Sequence, residues 1–589
     1  MSLPQHMDLA AAFLGVSGSL TARRWLGPDA ATTRLAEALM QRAELAPALA
    51  HILARRGVMP EAVAGFLAPA LRDLLPDPLQ LKDMDRAAER ILRAALATER
   101  IAVFADYDVD GAASAALLID WLRSLGRAAT LYIPDRIDEG YGPNDAAMAA
   151  LARDHDLIIC VDCGTLSHGP IQAARGADVI VLDHHLGAAD LPDCVAVVNP
   201  NRQDEDGSLG HLCAAGVVFL TLVELNRRLR DLARPAPDLI AALDLVALAT
   251  VADVAPLIGL NRAFVRQGLK IMARRARPGL VALCDVARLD RAPTSHHLGY
   301  VLGPRVNAGG RIGAADLGAR LLTTTDPAEA AALAQRLDTL NTDRREIEGR
   351  VRDAALAQAS ARGLDAPLVW AADDGWHPGV VGIVAARLKE ATNRPAVVIG
   401  FDGDAGKGSA RSISGVDLGA AVQRLAAEGW IEKGGGHRMA AGLSLSRAQL
   451  EPAMARLSAL LAKQGAGDRG PGDLRIDAVL MPGACTVDLI EQLDQAGPFG
   501  AAAPAPRFAL PGLRIRHMKP VGQGHLKLTL SDGTTSLDAI CFDAAASGLQ
   551  AALAQHGGRA VHVAGRLEIN HWNGRQNVQF RLEDAAWAD

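Results

Sequence analysis

Between residues 101 and 198, short apolar and β-branched runs repeatedly end on acidic or imidazole side chains. The clearest is IAVFADYDVDG at 101–111, where an apolar run passes directly into Asp106, Asp108 and Asp110 and then a glycine. Strands are predicted over 101–105, 130–133, 157–161 and 178–182, with a further apolar segment at 195–198. Helices are predicted over 112–125, over 144–153 and near 170–175. Strands alternating with helices build a parallel sheet covered on both faces, because each parallel pair needs a crossover and the crossover helix lies on a face. Ligands bind such sheets outside the carboxyl ends of the strands, so the residues after each run are the first candidates for chemistry.

Those residues share one character. The first strand delivers Asp106, Asp108 and Asp110; the third ends in VDCG, giving Asp162; the fourth ends in LDHH, giving Asp183, His184 and His185. Asp253, in ATVADVAPL, stands at the end of a long apolar helix. Each aspartate alone reads equally well as an N-cap or Asx turn, and a histidine pair alone reads as core. Three strands bringing metal-ligand residue types to one edge favour a metal site. Carboxylates this close cannot all ionise in a partly buried site unless cations lie among them. Oxygen donors suit hard divalent ions such as manganese or magnesium.

The chain has 589 residues, enough for about three to five domains, and its net charge of −6 provides no global field to attract nucleic acid. Any polyanion must be held by a local basic groove. Half of the residues are apolar and only 4% aromatic, which favours helix-rich layers over an all-β architecture. Seven scattered cysteines, and a start (MSLPQHMDLA) without the regions of a signal peptide, lead us to expect a cytoplasmic protein. Cys160 and Cys163 have no second pair at zinc-finger spacing. The apolar stretches at 213–223 and 239–260 are interrupted by Glu224, Asp244 and Asp253, so buried helices and no membrane partner are expected. A P-loop around Lys407 fails, because FDGDAGKG has Phe401 and Gly408 where glycine and a hydroxyl residue are needed.

The motifs DYDVDG, VDCG, DHH and ATVADVAPL, in this order and at these separations, resemble the DHH phosphoesterase superfamily, and within it the bacterial RecJ single-stranded-DNA exonucleases. GPRVNAGGR at 303–311, WHPGVVGIVAARL at 376–388, GSARS at 408–412 and GGGHRMAAGL at 434–443 resemble the remaining blocks of that family. Two departures stand out: Cys163 where the family has asparagine, and Gly309 where it has alanine. Cys163, beside a ligand, is expected to make the site sensitive to oxidation, and Gly309 to loosen a loop.

The resemblance implies a multidomain α/β protein. A helical segment (1–75) precedes a parallel-sheet DHH catalytic domain (76–325). A long connector helix (326–362) leads to a second α/β DHH-associated domain (363–464), and a C-terminal OB-fold β-barrel (473–589) follows a Gly-rich linker. In the barrel, short strands are predicted over 513–518, 525–530, 536–542, 560–568 and 577–582, with His571 and Trp572 as candidates for stacking on bases.

The implied activity is 5′-to-3′ hydrolysis of single-stranded DNA to mononucleotides, in recombination and repair, with two divalent ions. Manganese is expected, since imidazole in the ligand set favours it over magnesium. Asp108, Asp110, Asp162, His184 and Asp253 are the expected ligands, with Asp162 or Asp253 bridging and Asp106 at a metal or the attacking water. Asp183 would orient the histidine pair from behind, and His185 would complete the site or touch the phosphate. Arg136, Arg305, Asn307, Arg311, Ser409, Arg411 and His437 are the expected nucleic-acid contacts, on Gly- or Pro-containing loops, with 434–437 a loop cradling a phosphate. A monomer meeting a single-strand-binding protein and a RecQ-type helicase completes the expectation.

Three alternatives fit less well. A phosphodiesterase of short RNA or cyclic dinucleotides has no need of the long connector and tail. A replication scaffold has no need of an intact ligand set, and a binding-only OB protein leaves the acidic cluster unexplained.

Overall fold

The computed structural model describes residues 12–135, 139–467, 472–572 and 575–588. It divides into two compact units, one of residues 71–468 with 500–503, the other of residues 1–70, 469–499 and 504–589. Arg136 lies outside the described residues, as does the side chain of Trp572.

In the first unit, the strands Ile101–Ala105, Ala129–Tyr132, Leu157–Val161, Asp178–Leu182 and Ala196–Val198 form a five-stranded sheet. Ala129–Tyr132 is at one edge, next to Ile101–Ala105, and the others follow in chain order, every pair parallel. Side chains alternate across a strand, and here both faces are covered. Val103, Ala105, Ile159 and Val161 enter one core with the helices Val109–Ser124, Ala214–Asp231 and Leu243–Ala252. Ala102, Phe104, Ile158 and Cys160 enter another, with Asp145–Asp154 and His168–Ala173. This two-sided burial is why the runs read as continuously apolar. The helix after the first strand begins at Val109, three residues before the expected start, because Asp108 caps it.

The GPRVNAGGR block is a helix, Gly303–Ile312, reached through a π-helical turn at Leu298–Leu302. The expected loop is corrected accordingly, and Gly309 loosens nothing. A β-carbon on Gly309 would come within 3.2 Å of both the Ala314 carbonyl and Leu337 Cδ2, so glycine there permits close packing against the connector.

That connector, Pro327–Arg362, is 36 residues long, about 54 Å at the α-helical rise. Asp326 caps its N-terminus through Ala328 N–H. Its first half (Ala330, Leu333, Ala334, Leu337) enters the core of the parallel-sheet domain, and its second half (Val351, Ala355, Ala359) that of the following domain. One rigid rod thus belongs to two cores.

The following domain is a mixed five-stranded sheet in the order Lys433–His437, Ala440–Ser446, Ala405–Arg411, Ala396–Asp402, Val369–Asp374. GSARS therefore runs along and out of a strand, and residues 434–437 form the edge of a hairpin; both were expected as loops. Among the described residues, no helix is long and apolar enough to cross a membrane.

The second unit is a barrel. Phe508–Val521, His525–Ser531, Ser536–Cys541, Arg575–Trp587 and Ala560–Trp572 pair in succession, and Phe508–Val521 also pairs with Ala560–Trp572 to close the ring. Register shifts at Leu510/Leu513 and Ile515/His517 let that long strand serve two neighbours.

The N-terminal segment shares this unit's core. Leu39, Leu49 and Leu53 pack in one cluster with Phe508, Leu526 and Phe580, and Trp25–Leu26 pairs in parallel with Leu474–Arg475. The buried Trp25 donates its indole N–H to Asp584 at 2.9 Å, and Thr21 donates to the other oxygen of the same buried carboxylate.

Replacing Trp25 with phenylalanine removes one donor from that buried charge, at an expected cost of about 1–3 kcal/mol. Chemical denaturation followed by the barrel's near-ultraviolet dichroism is expected to show an earlier midpoint for Trp25→Phe; an unchanged midpoint would contradict the pairing.

Candidate metal centre

Ile101–Ala105 ends inside the protein, and the chain must turn at once to enter its helix. Gly111 makes this possible, since a β-carbon there would collide with the Asp106 carbonyl. Asp108 then accepts hydrogen bonds from Asp110 N–H at 2.8 Å and Gly111 N–H at 3.2 Å. The buried Asp110 carboxylate points at a second helix start, accepting from Ala214 N–H at 2.7 Å and Ala215 N–H at 2.8 Å. Helix N-termini offer unpaired N–H groups and partial positive charge, so backbone donors hold this carboxylate in place.

The other strand ends arrive alongside. Asp162 follows Leu157–Val161 in the left-handed region at φ 60°, a conformation more available to aspartate than to most residues. His184 Nε2 lies 3.3 Å from Asp162 Oδ1, 3.8 Å from Asp110 Oδ2 and 3.9 Å from Asp253 Oδ2. Asp253 is the C-cap of Leu243–Ala252. Three groups of potential ligand atoms each fall within 4.8 Å: Asp106, Asp108 and Asp162; Asp110, His184 and Asp253; Asp162, His184 and His185. Asp162 and His184 each belong to two of them, so the constellation is continuous.

Asp183 stands behind the pair. It accepts from Thr165 Oγ1 at 2.6 Å, from the backbone N–H groups of Thr165, His184 and His185, and from His185 Nδ1 at 2.8 Å. Asn199 and Asn201 hold the same loop, donating to the carbonyls of His185 and His184. Tyr141 donates to the Asp162 carbonyl at 3.2 Å and lies 3.1 Å from His185 Nε2. These were not singled out from the sequence. The available signals were the NPN triplet after the fifth strand, on the same sheet edge, and the tyrosine five residues after Arg136 in IPDRIDEGYG, 133–142.

The electrostatics separate the carboxylates by role. Burial, then the charges of Asp110, Asp108 and Asp106, drives Asp162 well above the usual carboxylate range. Burial and the charges of Asp110 and Asp108 bring Asp253 up to about 8. Burial also raises Asp110, against the His184 charge and the two N–H donors. Asp183 goes the other way: burial would raise it, but the hydrogen bonds from His185 and Thr165 hold it well below the ordinary value. Burial opposes the charging of His185, and its hydrogen bond to Asp183 overcomes this and raises it to about 9.

The buried Asp162 Oδ1 has no hydrogen-bond donor among the described residues. That oxygen, among mutually repelling carboxylates with imidazole at their rim, fits divalent cations of the manganese or magnesium type. Cys163 does not fit its expectation. Its thiol is fully enclosed, donates to the Val161 carbonyl, and is pushed up by burial, so the reactive thiolate is disfavoured and oxidation sensitivity does not follow.

Of the expected nucleic-acid contacts, Arg305 and Asn307 are engaged within the protein. Arg305 pairs with Asp338 of the connector at 2.8 Å, and Asn307 Oδ1 accepts from Val109 N–H at 3.0 Å. Arg311, one turn beyond Asn307, donates to the Gly379 carbonyl and lines a cleft of about 570 Å³ together with Ser409. Lys407 and Lys433, not chosen from the sequence, line the same cleft. Arg411 lies beside Ser409, the two approaching Gly382 from the same side. His437 is exposed at the end of its edge strand and does not line the cleft.

Residues 100–250 match the model of the DHH family N-terminal domain, residues 365–463 the DHHA1 domain, and residues 476–584 the RecJ OB domain. The single-stranded-DNA-specific exonuclease RecJ of Escherichia coli is 37% identical over 565 residues, covering 92% of this chain and 96% of that protein. The protein of the same name from Bacillus subtilis is 33% identical over 559 residues, covering 93% and 69%. The crystal structure of RecJ in complex with Mn2+ from Thermus thermophilus superposes with a TM-score of 0.79 at 30% identity, covering 95% of this chain and 79% of that one. Its Mg2+ complex gives 0.72 at 29%.

A pH dependence follows from Asp253. Its folded pKa, about 8, exceeds an unfolded value of about 3.9, so the folded state binds this proton more tightly. The associated stability is complete below about pH 4 and lost as pH rises towards about 8. With a chelator present, the melting temperature of the parent is expected to fall more between about pH 5 and pH 8 than that of Asp253→Asn, and added manganese is expected to raise the parent more at the higher pH. Parallel curves for the two proteins would contradict the assignment.

Proposed function

The chain belongs to the RecJ family, and on that premise we propose that it is a single-stranded-DNA-specific 5′-to-3′ exonuclease releasing mononucleotides in recombination and repair. The observation that carries the proposal is the convergence of Asp106, Asp108, Asp110, Asp162, His184, His185 and Asp253 around a buried carboxylate oxygen that accepts no hydrogen bond among the described residues. Asp108, Asp110, Asp162, His184 and Asp253 would hold two divalent ions, manganese by preference, with Asp106 beside them and Asp162 or Asp253 shared. Such ions, when bound, neutralise the phosphate and favour ionisation of an attacking water.

The chain's own groups do the rest. Asp183 fixes the His185 ring through Nδ1 and favours its cationic form, so that Nε2–H is a donor beside the Tyr141 hydroxyl, whose own proton goes to the Asp162 carbonyl. Water adds to phosphorus and the bond to the 3′ oxygen breaks. Breaking that bond leaves a 5′-phosphate on the shortened strand, so each product presents the end needed for the next round.

The cleft of Arg311, Ser409, Lys407 and Lys433 offers cationic and hydroxyl donors for strand phosphates. Asn307 and Arg311 are four residues apart on one helix, about 6 Å along its axis. Asn307 touches the helix that carries Asp110, and Arg311 lines the cleft, so phosphate grip and hydrolytic centre are separated by one helical turn. Arg411, next to Ser409, is the candidate for the terminal phosphate. The barrel suits a single strand held by stacking and backbone charge. The same reading makes the protein a cytoplasmic monomer acting with a single-strand-binding protein and a RecQ-type helicase, supported by family membership.

Asp253→Ala, and Asp110→Ala, are expected to lower hydrolysis of end-labelled single-stranded oligonucleotides in manganese by more than about 100-fold, the upper range for residues acting one shell out. Strand binding is expected to remain measurable, and retained turnover would refute the ligand assignment. Arg411→Ala is expected to reduce the preference for 5′-phosphorylated over 5′-hydroxyl ends. Equal cleavage of both ends by the parent would remove that role.

A further inference from the structure

Tyr300 is 73% exposed, although it lies on the π-helical turn that leads into the helix of Asn307 and Arg311. Its ring is stacked on that of His296, with centroids 4.9 Å apart and planes at 25°. His296 is exposed as well, so a two-ring face is presented to solvent. Isolated exposed apolar side chains are ordinary, but the position of this pair is not arbitrary. A β-carbon on Gly299, next to Tyr300, would be 3.3 Å from Val251 Cγ1, and one on Gly303 would be 3.2 Å from Ala252 Cβ. The residue that follows those two is Asp253.

A second observation lies on the other side of Asp253. Val254 is 70% exposed and has φ 59°. A β-branched residue in the left-handed region is strained, and strain of this kind is held where the surrounding structure enforces it, often at functional sites. The π-helical turn is itself an interruption of the kind found at such sites. An irregular turn packed on the two residues before Asp253, and a strained residue directly after it, therefore each hold an aromatic or apolar side chain in water.

The geometry points to a nucleobase seat: the Tyr300–His296 stack, with Val254, receives an unstacked base of the single strand close to the bond being hydrolysed. Every base has a π-face, so such a seat holds any sequence equally and requires a base that is free to leave its neighbours. It would thus favour single strands over duplex at the step of positioning. The inference rests on the exonuclease reading and adds to it the group that recognises the base, where that reading addressed only phosphate. Tyr300 and His296 are positioning residues and perform no chemistry.

The test uses the full chain with 5′-phosphorylated single-stranded oligonucleotides bearing one abasic site at successive positions from the 5′ end. The parent is expected to slow at one such position. Tyr300→Ala is expected to lose roughly ten-fold in kcat/KM on the intact strand, as for one base stack, and to be indifferent to that abasic site. Tyr300→Phe, which keeps the ring, is expected to restore both behaviours, and the melting temperatures of all three are expected to agree. A binding arm with a chelator present places 2-aminopurine at the sensitive position; its fluorescence is expected to be quenched by the parent and not by Tyr300→Ala. Tyr300→Ala with the parent's rates, abasic profile and quenching overturns the seat and leaves the exonuclease reading intact. Quenching by the parent alone, without hydrolysis by any protein, supports the seat and overturns the exonuclease reading.

Discussion

The structure depends on keeping several carboxylates together, away from water, at one end of a parallel sheet. Asp106, Asp110, Asp162 and Asp183 are all buried there, and like charges so placed raise one another's pKa. The fold answers differently for each. Asp110 faces the start of Ala214–Asp231, Asp183 is surrounded by donors from Thr165 and the histidine loop, and Asp162 Oδ1 accepts no hydrogen bond among the described residues. A site whose surrounding carboxylates are held by helix termini and hydrogen bonds, but whose central oxygen accepts no hydrogen bond among the described residues, is organised for a cation.

This arrangement also accounts for the framework around it. The carboxylates arrive from strand ends because parallel strands all terminate on the same side, and their crossover helices begin there. Burial on both faces makes the sheet rigid, so the ligand positions are set by backbone that is itself in the core. The connector extends this rigidity to the next domain by sharing its length between two cores, and Arg305 pins it through Asp338.

The sheet and its acidic rim were legible because two-sided burial writes continuous apolar runs, and because a carboxylate directly after such a run is out of place in a core. The glycine-rich blocks were misread for a physical reason. In GPRVNAGGR and GSARS the small residues permit close approach between elements, Gly309 against Leu337 and Gly408 against Ile399 and Leu443, and glycine alone does not distinguish this from a turn. Asn199, Asn201 and Tyr141 were not found because their role is to hold other residues, which leaves little trace in local pattern. The association of the N-terminal segment with the barrel was beyond reach: Trp25 meets Asp584 across 559 positions of chain, and no periodicity spans that distance.

The most direct test of the central claim is anomalous diffraction at the manganese edge from crystals of this protein grown with manganese. Two peaks are expected, within coordination distance of Asp108, Asp110, Asp162, His184 and Asp253. Density for no metal there, or for manganese held elsewhere on the protein, would contradict it.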